Sequence, residues 1–175
     1  MLIGNEKRAD RIRNLIFAAT IIIASLLQNF AGFLPRPLNV QVVFLLPALV
    51  TVSMHTFEVP AIFFGLFAGL MADAVSAAPQ GFNALLFTAF AFIASAFINT
   101  VMRNNVVTAF LLNAVSTVSY FFFYWLITVV FKGYEGALGV LLKFYLPSAG
   151  LTILFGPIFY IFIHFVSRKT RFQTL

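Results

Sequence analysis

Apolar runs of membrane-crossing length recur along the chain, separated by short polar or helix-breaking clusters. At a rise of about 1.5 Å per residue, roughly 20 apolar residues cross a hydrocarbon core of about 30 Å. On that scale the runs predict spans at residues 14–34, 38–55, 60–76, 82–102, 106–131 and 144–166. The separators are Pro35-Arg36-Pro37, the turn Ala77-Ala78-Pro79-Gln80-Gly81, Arg103-Asn104-Asn105, and the segment from Lys132 to Gly136. Each carries the breakers or charges that end helices, and connections this short make neighbouring helices antiparallel. The pattern therefore predicts an all-α polytopic membrane bundle of about six transmembrane helices. A basic N-terminus (1–13) and a basic C-terminus (168–175) would flank one helical domain (14–167).

Residues 137–147, ALGVLLKFYLP, fit two descriptions. They extend the last span outward, or, with Lys143 inside and Pro147 behind, form a short interfacial helix whose lysine snorkels to water. The second is the expectation adopted, and a five-span chain is its rival. Pro47 and Gly156-Pro157 fall inside predicted spans, where proline removes a donor and crowds the preceding turn, so kinks are expected there.

Composition agrees with the pattern. Hydrophobic residues make up 62% of the chain, charged residues 9%, and the mean hydropathy is +1.01, whereas soluble domains carry about a quarter charged residues. With no cysteine, disulfides, thiolate metal sites and a cysteine nucleophile are excluded. The net charge of +6 does not suggest nucleic acid, because the basic residues lie at the chain ends and in short loops. With six spans, eight Lys and Arg fall on one side and three (Arg36, Lys132, Lys143) on the other. Cytoplasmic segments are enriched in these residues, so both termini are expected in the cytoplasm. The first apolar run exceeds a signal-peptide core and lacks a small-residue cleavage site, so it is expected to be retained.

The polar residues inside the spans are the candidates for function. Gly65, Gly69 and Asp73 lie four residues apart, on one face of the third span. A G-x-x-x-G seam lets another helix approach closely, and a carboxylate at membrane depth calls for a partner or water. Three roles are open to Asp73: bracing the following turn through Asn83 or the turn amides, contacting another protein or helix, or holding a proton or ligand. The fifth span carries a polar stripe of Asn113, Ser116 or Thr117, Tyr120 and Tyr124, suited to interhelical hydrogen bonds or to a ligand path. Phe121, Phe122, Phe123 and Trp125 beside it are expected to pack or face lipid.

Signs of catalysis are scarce. His55 and His164 are the only histidines, His55 to Glu58 is not an H-E-x-x-H zinc motif, and no second intramembrane aspartate pairs with Asp73. Neither a G-x-S-x-G elbow nor a phosphate-binding glycine loop occurs. No cofactor, metal or enzymatic activity is expected.

The combination of a basic N-terminus, the helix with Gly65, Gly69 and Asp73, a turn with Pro79 and Gly81, and a following helix opening FNALLFTAFAF resembles the rod shape-determining MreD family. The specific part covers residues 63 to 100. Departures are Ala77-Ala78 after Ser76, and Met71-Ala72 before the aspartate. The resemblance implies a non-enzymatic scaffold of the cell-elongation machinery in a bacterial inner membrane. Such a scaffold binds the bitopic protein MreC and couples MreB to the peptidoglycan synthases RodA and penicillin-binding protein 2. The Gly65, Gly69 and Asp73 face would then receive a partner helix or the helices that shape its site. A rival resemblance is to the substrate-binding subunits of energy-coupling-factor vitamin transporters, similar in size, hydropathy and span number. Those subunits dock through small residues spaced along the first helix, and here Ile22 and Ile23 stand four residues after Ala18 and Ala19. A proton-coupled carrier using Asp73 is a third option, disfavoured because Asp73 lies far from the midplane.

Overall fold

The computed structural model describes the backbone of residues 2–29, 41–102, 104–134 and 136–171, and side chains within 11–167 of those. Among the described residues every regular element is helical: α1 (Leu2–Asn29), α2 (Leu45–Ser53), α3 (Glu58–Asp73), α4 (Phe82–Thr100), α5 (Val106–Trp125), α6 (Ala137–Val140) and α7 (Leu146–Arg171). Two π-wound stretches complete the set, Leu126–Val130 continuing α5 and Leu141–Tyr145 joining α6 to α7. The Pro35-Arg36-Pro37 separator, Arg103, Glu135 and the ends of the first two predicted spans around it lie outside the described residues.

Four helical stretches are long and apolar enough to cross a membrane: Arg11–Asn29, Phe82–Thr100, Val106–Val130 and Ala137–Ser167. Their outward faces carry large apolar side chains such as Phe63 on neighbouring α3, Leu154 and Phe165, all exposed. A belt of this kind suits lipid contact better than water.

The second predicted span is different. α2 has only nine residues, all buried, and at about 1.5 Å each covers roughly half of a hydrocarbon core. A helix apolar all round belongs in an interior, and α2 is the central helix, with α1, α3, α4, α5 and α7 around it. Before it the chain is irregular from Gln41 to Val43. Alternate amides there are satisfied by neighbouring helices: Gln41 N–H donates to Ser148 Oγ at 3.1 Å, Val43 N–H to Thr152 Oγ1 at 3.2 Å, and Leu45 N–H to Gln28 Oε1 at 3.2 Å. Irregular backbone at membrane depth is tolerated where protein groups take its hydrogen bonds. Pro47 is the third residue of α2, where its missing N–H is one that the first helical turn leaves unbonded anyway. It opens the helix and does not kink a longer one.

Residues 137–147 also depart from expectation. They are not a separate interfacial helix but run without a break into α7. The π winding makes room for Pro147: Leu146 N–H donates to Leu141 O, five residues back. α7 likewise continues through Pro157.

Gln28, Gln41, Ser76, Asn83, Tyr124 and Tyr145 meet around one cavity at one end of the bundle. Asn104 reaches Met54, Asn99 reaches Glu58, and His55 reaches His164 at the other. These two polar clusters mark opposite ends of the bundle, and α2 and α3 pack among the four long helices.

Candidate functional site

α3 and α4 form the tightest pair in the fold, and glycine is the reason. A Cβ on Gly65 would stand 2.7 Å from Thr88 Cα and 2.9 Å from Phe87 O, and one on Gly69 would meet Ala84 Cα and stand 2.7 Å from Asn83 O. Ala84, Thr88 and Ala91 thus form the small-residue stripe that fits the glycine seam. The seam is filled by the chain's own α4, so it is not an open face for a partner helix.

Asp73 ends α3 beside the start of α4. The N-cap residue of α4 is Gly81, whose φ of 89° is the left-handed conformation that glycine favours. Gly81 has no side chain to cap the helix, and Asp73 takes that role from across the turn. Its Oδ2 accepts from Gly81 N–H at 3.1 Å and Ala84 N–H at 3.0 Å, and its Oδ1 accepts from Asn83 N–H and Nδ2, both at 3.0 Å. These are the orphan amides of a helix N-terminus, where the macrodipole also favours negative charge. Of the three roles open to Asp73, the geometry gives bracing. Pro79 belongs to the same turn, its carbonyl accepting from Phe82 N–H at 3.1 Å. Gly65, Gly69, Asp73, Pro79, Gly81 and Asn83 thus come together as one hairpin.

The brace extends into the bundle. Asn83, fully buried, accepts at Oδ1 from Tyr120 Oη at 3.0 Å, tying α5 to the α3–α4 turn. Tyr120 and Tyr124 lie against each other with ring centroids 5.7 Å apart, and Tyr124 meets Tyr145 at 6.1 Å. Above Asn83 and Tyr120 opens a cavity of about 520 Å³, bounded by the ends of α1, α3 and α5, the irregular segment before α2, and the α6–α7 region. The polar stripe of α5 therefore divides. Tyr120 and Tyr124 reach the cavity, whereas Asn113 and Ser116 are buried below it. Asn113 donates within its own helix, to Ala109 O at 3.0 Å, and lies 3.2 Å from where a Gly156 Cβ would be. Its Oδ1 and Thr117 Oγ1 have no hydrogen-bond partner among the described residues. Phe121 is buried, Phe122 and Phe123 are exposed, and Trp125 donates from Nε1 to Ala137 O at 2.9 Å.

At the opposite end the two histidines, far apart in sequence, meet. His55 Nδ1–H donates to Thr51 O at 2.9 Å, so Nε2 is the acceptor in the neutral ring, and His164 Nδ1 lies 3.4 Å from it. Tyr160 stacks on His164 and donates to Asn104 O at 3.1 Å. Glu58, half-buried at the start of α3, is held below the usual carboxylate value by the amide of Asn99 at 2.9 Å.

Sequence reasoning did not single out Gln28, Gln41, Ser148 or Thr152. Their only signal was polarity near span ends, and the tertiary contact supplied the rest. Among the described residues no group of three or more metal-ligating side chains occurs. No protein-family model, no curated protein and no solved structure matches the chain.

Proposed function

We propose that the chain is a non-enzymatic scaffold of the rod-shape machinery in a bacterial inner membrane, of the MreD kind. It crosses six times with both termini in the cytoplasm, and it binds an MreC-like bitopic protein, with RodA and penicillin-binding protein 2 as further contacts. The observation that carries this reading is the hairpin: the residues on which the resemblance rests form one unit, in which Gly65 and Gly69 seat α4 and Asp73 clasps Gly81, Asn83 and Ala84. The all-helical architecture with four helices of membrane-crossing length supports the reading. On this reading α2 and α3 count as crossings beside those four, and the fold is similar to the substrate-binding subunits of energy-coupling-factor transporters. Because α4 fills the glycine seam, the partner helix docks on another face, and the seam helps to shape the body that partner meets.

The cavity favours a second reading, a vitamin-binding subunit of such a transporter. Depletion of the protein in a rod-shaped host separates the two. The scaffold reading predicts rounding of the cells at constant nutrient supply. Unchanged shape, with growth that becomes dependent on an added vitamin, would replace it with the transporter reading.

A further inference from the structure

Beside the scaffold reading, and independent of it, stands the chemistry of the cavity. Its volume of about 520 Å³ is within the range of small-molecule sites, which combine ring and aliphatic surface with a few convergent polar groups. Among the described residues no Asp, Glu, Lys, Arg or His lines it. Asp73 lies behind Asn83 with both oxygens already accepting hydrogen bonds from the turn. An ion placed against these lining residues would meet no opposite charge among them, which makes its desolvation unfavourable.

The walls divide by chemistry. One is aromatic: Tyr120, Phe121, Tyr124 and Tyr145 form a continuous cluster with centroid separations of 5.4 to 6.1 Å. The other is made of amides and hydroxyls from Gln28, Asn29, Gln41 and Ser148. The polar floor is fixed before any ligand arrives, since Asn83 is held between Asp73 and Tyr120, and preorganised polar groups lose less entropy on binding. Two π-wound stretches flank the site, one following Tyr124 and Trp125, the other containing Phe144 and Tyr145. Such windings recur at functional sites.

We infer that this cavity binds an uncharged, ring-bearing small molecule that stacks on the tyrosine wall and hydrogen-bonds along its edge to the facing amides and hydroxyls. A plain acyl chain would make no use of the remaining hydrogen-bonding capacity of the polar wall, and a nucleotide or amino acid would bring charge that none of the described lining residues meets.

The test uses the full chain in lipid nanodiscs, which avoids sugar-headed detergents that could occupy the site. The probe is the small-molecule extract of the expressing cells, split on a mixed-bed ion exchanger into an uncharged flow-through and an ionic eluate. The flow-through should raise the thermal unfolding midpoint by about 3 °C or more, the eluate should not, and denaturing the complex should release a ring compound. Val140→Trp fills the cavity from α6, and Ala77→Trp does so from an exposed turn position that tolerates change should the first variant misfold. Both should abolish the rise, whereas Thr100→Trp at the opposite end should retain it. No rise with either fraction, a rise with the ionic fraction alone, an equal rise in the filled variants, or release of lipid only would each overturn the inference. Any of these outcomes would leave the partner reading standing on its own test.

Discussion

At the scale of single residues, the chain keeps a carboxylate in an apolar hairpin because the helix that follows begins with glycine. Gly81 provides the left-handed turn but no capping side chain, and Asp73 makes up the deficit with four hydrogen bonds. Hydrogen bonds to a charged group contribute about 1.5 to 3 kcal/mol each at most and are not additive. Asp73→Ala should therefore lower stability by about 3 kcal/mol, read as a lower unfolding midpoint in detergent and faster amide exchange at Gly81, Asn83 and Ala84. An unchanged midpoint would remove the bracing role. Asp73's role was legible in sequence because its partners are close along the chain. The pairing of His55 with His164 was not, because 109 positions separate them.

At the scale of elements, periodicity and punctuation located α3, α4, and α5 together with its π-wound continuation, to within about three residues, since each is bounded by glycine, proline or an Asn pair. They failed at α2, because an apolar run reads alike whether lipid or protein surrounds it. The irregular stretch before α2 depends on Ser148, Thr152 and Gln28, distant side chains that no local pattern encodes. They failed again at residues 137–147, where Lys143 and Pro147 suggested a boundary that π winding instead absorbs. The glycine seam was read correctly as a close-packing face, but its occupant could not be read. The occupant dictates the expected mutational pattern. Gly69→Ala forces a methyl group into the α4 backbone and should cost about 2 kcal/mol or more, whereas Gly150→Ala, with open space around it, should be neutral or stabilising. Equal midpoints for the two variants would show that α3 and α4 do not pack as described.

At the scale of the whole molecule, four helical stretches are long and apolar enough to cross a membrane, and the α3–α4 turn with the cavity lies at the end of the bundle opposite the His55–His164 pair. The broad apolar exterior suits contact with lipid. Composition made the membrane class legible at once, and the partner remains a matter for measurement. The most direct one is to purify the tagged chain from its native membrane in mild detergent and identify what accompanies it. The account predicts recovery of a bitopic MreC-like protein together with cell-wall synthases. Recovery of a transmembrane coupling subunit with paired ATPases in their place would contradict the scaffold reading.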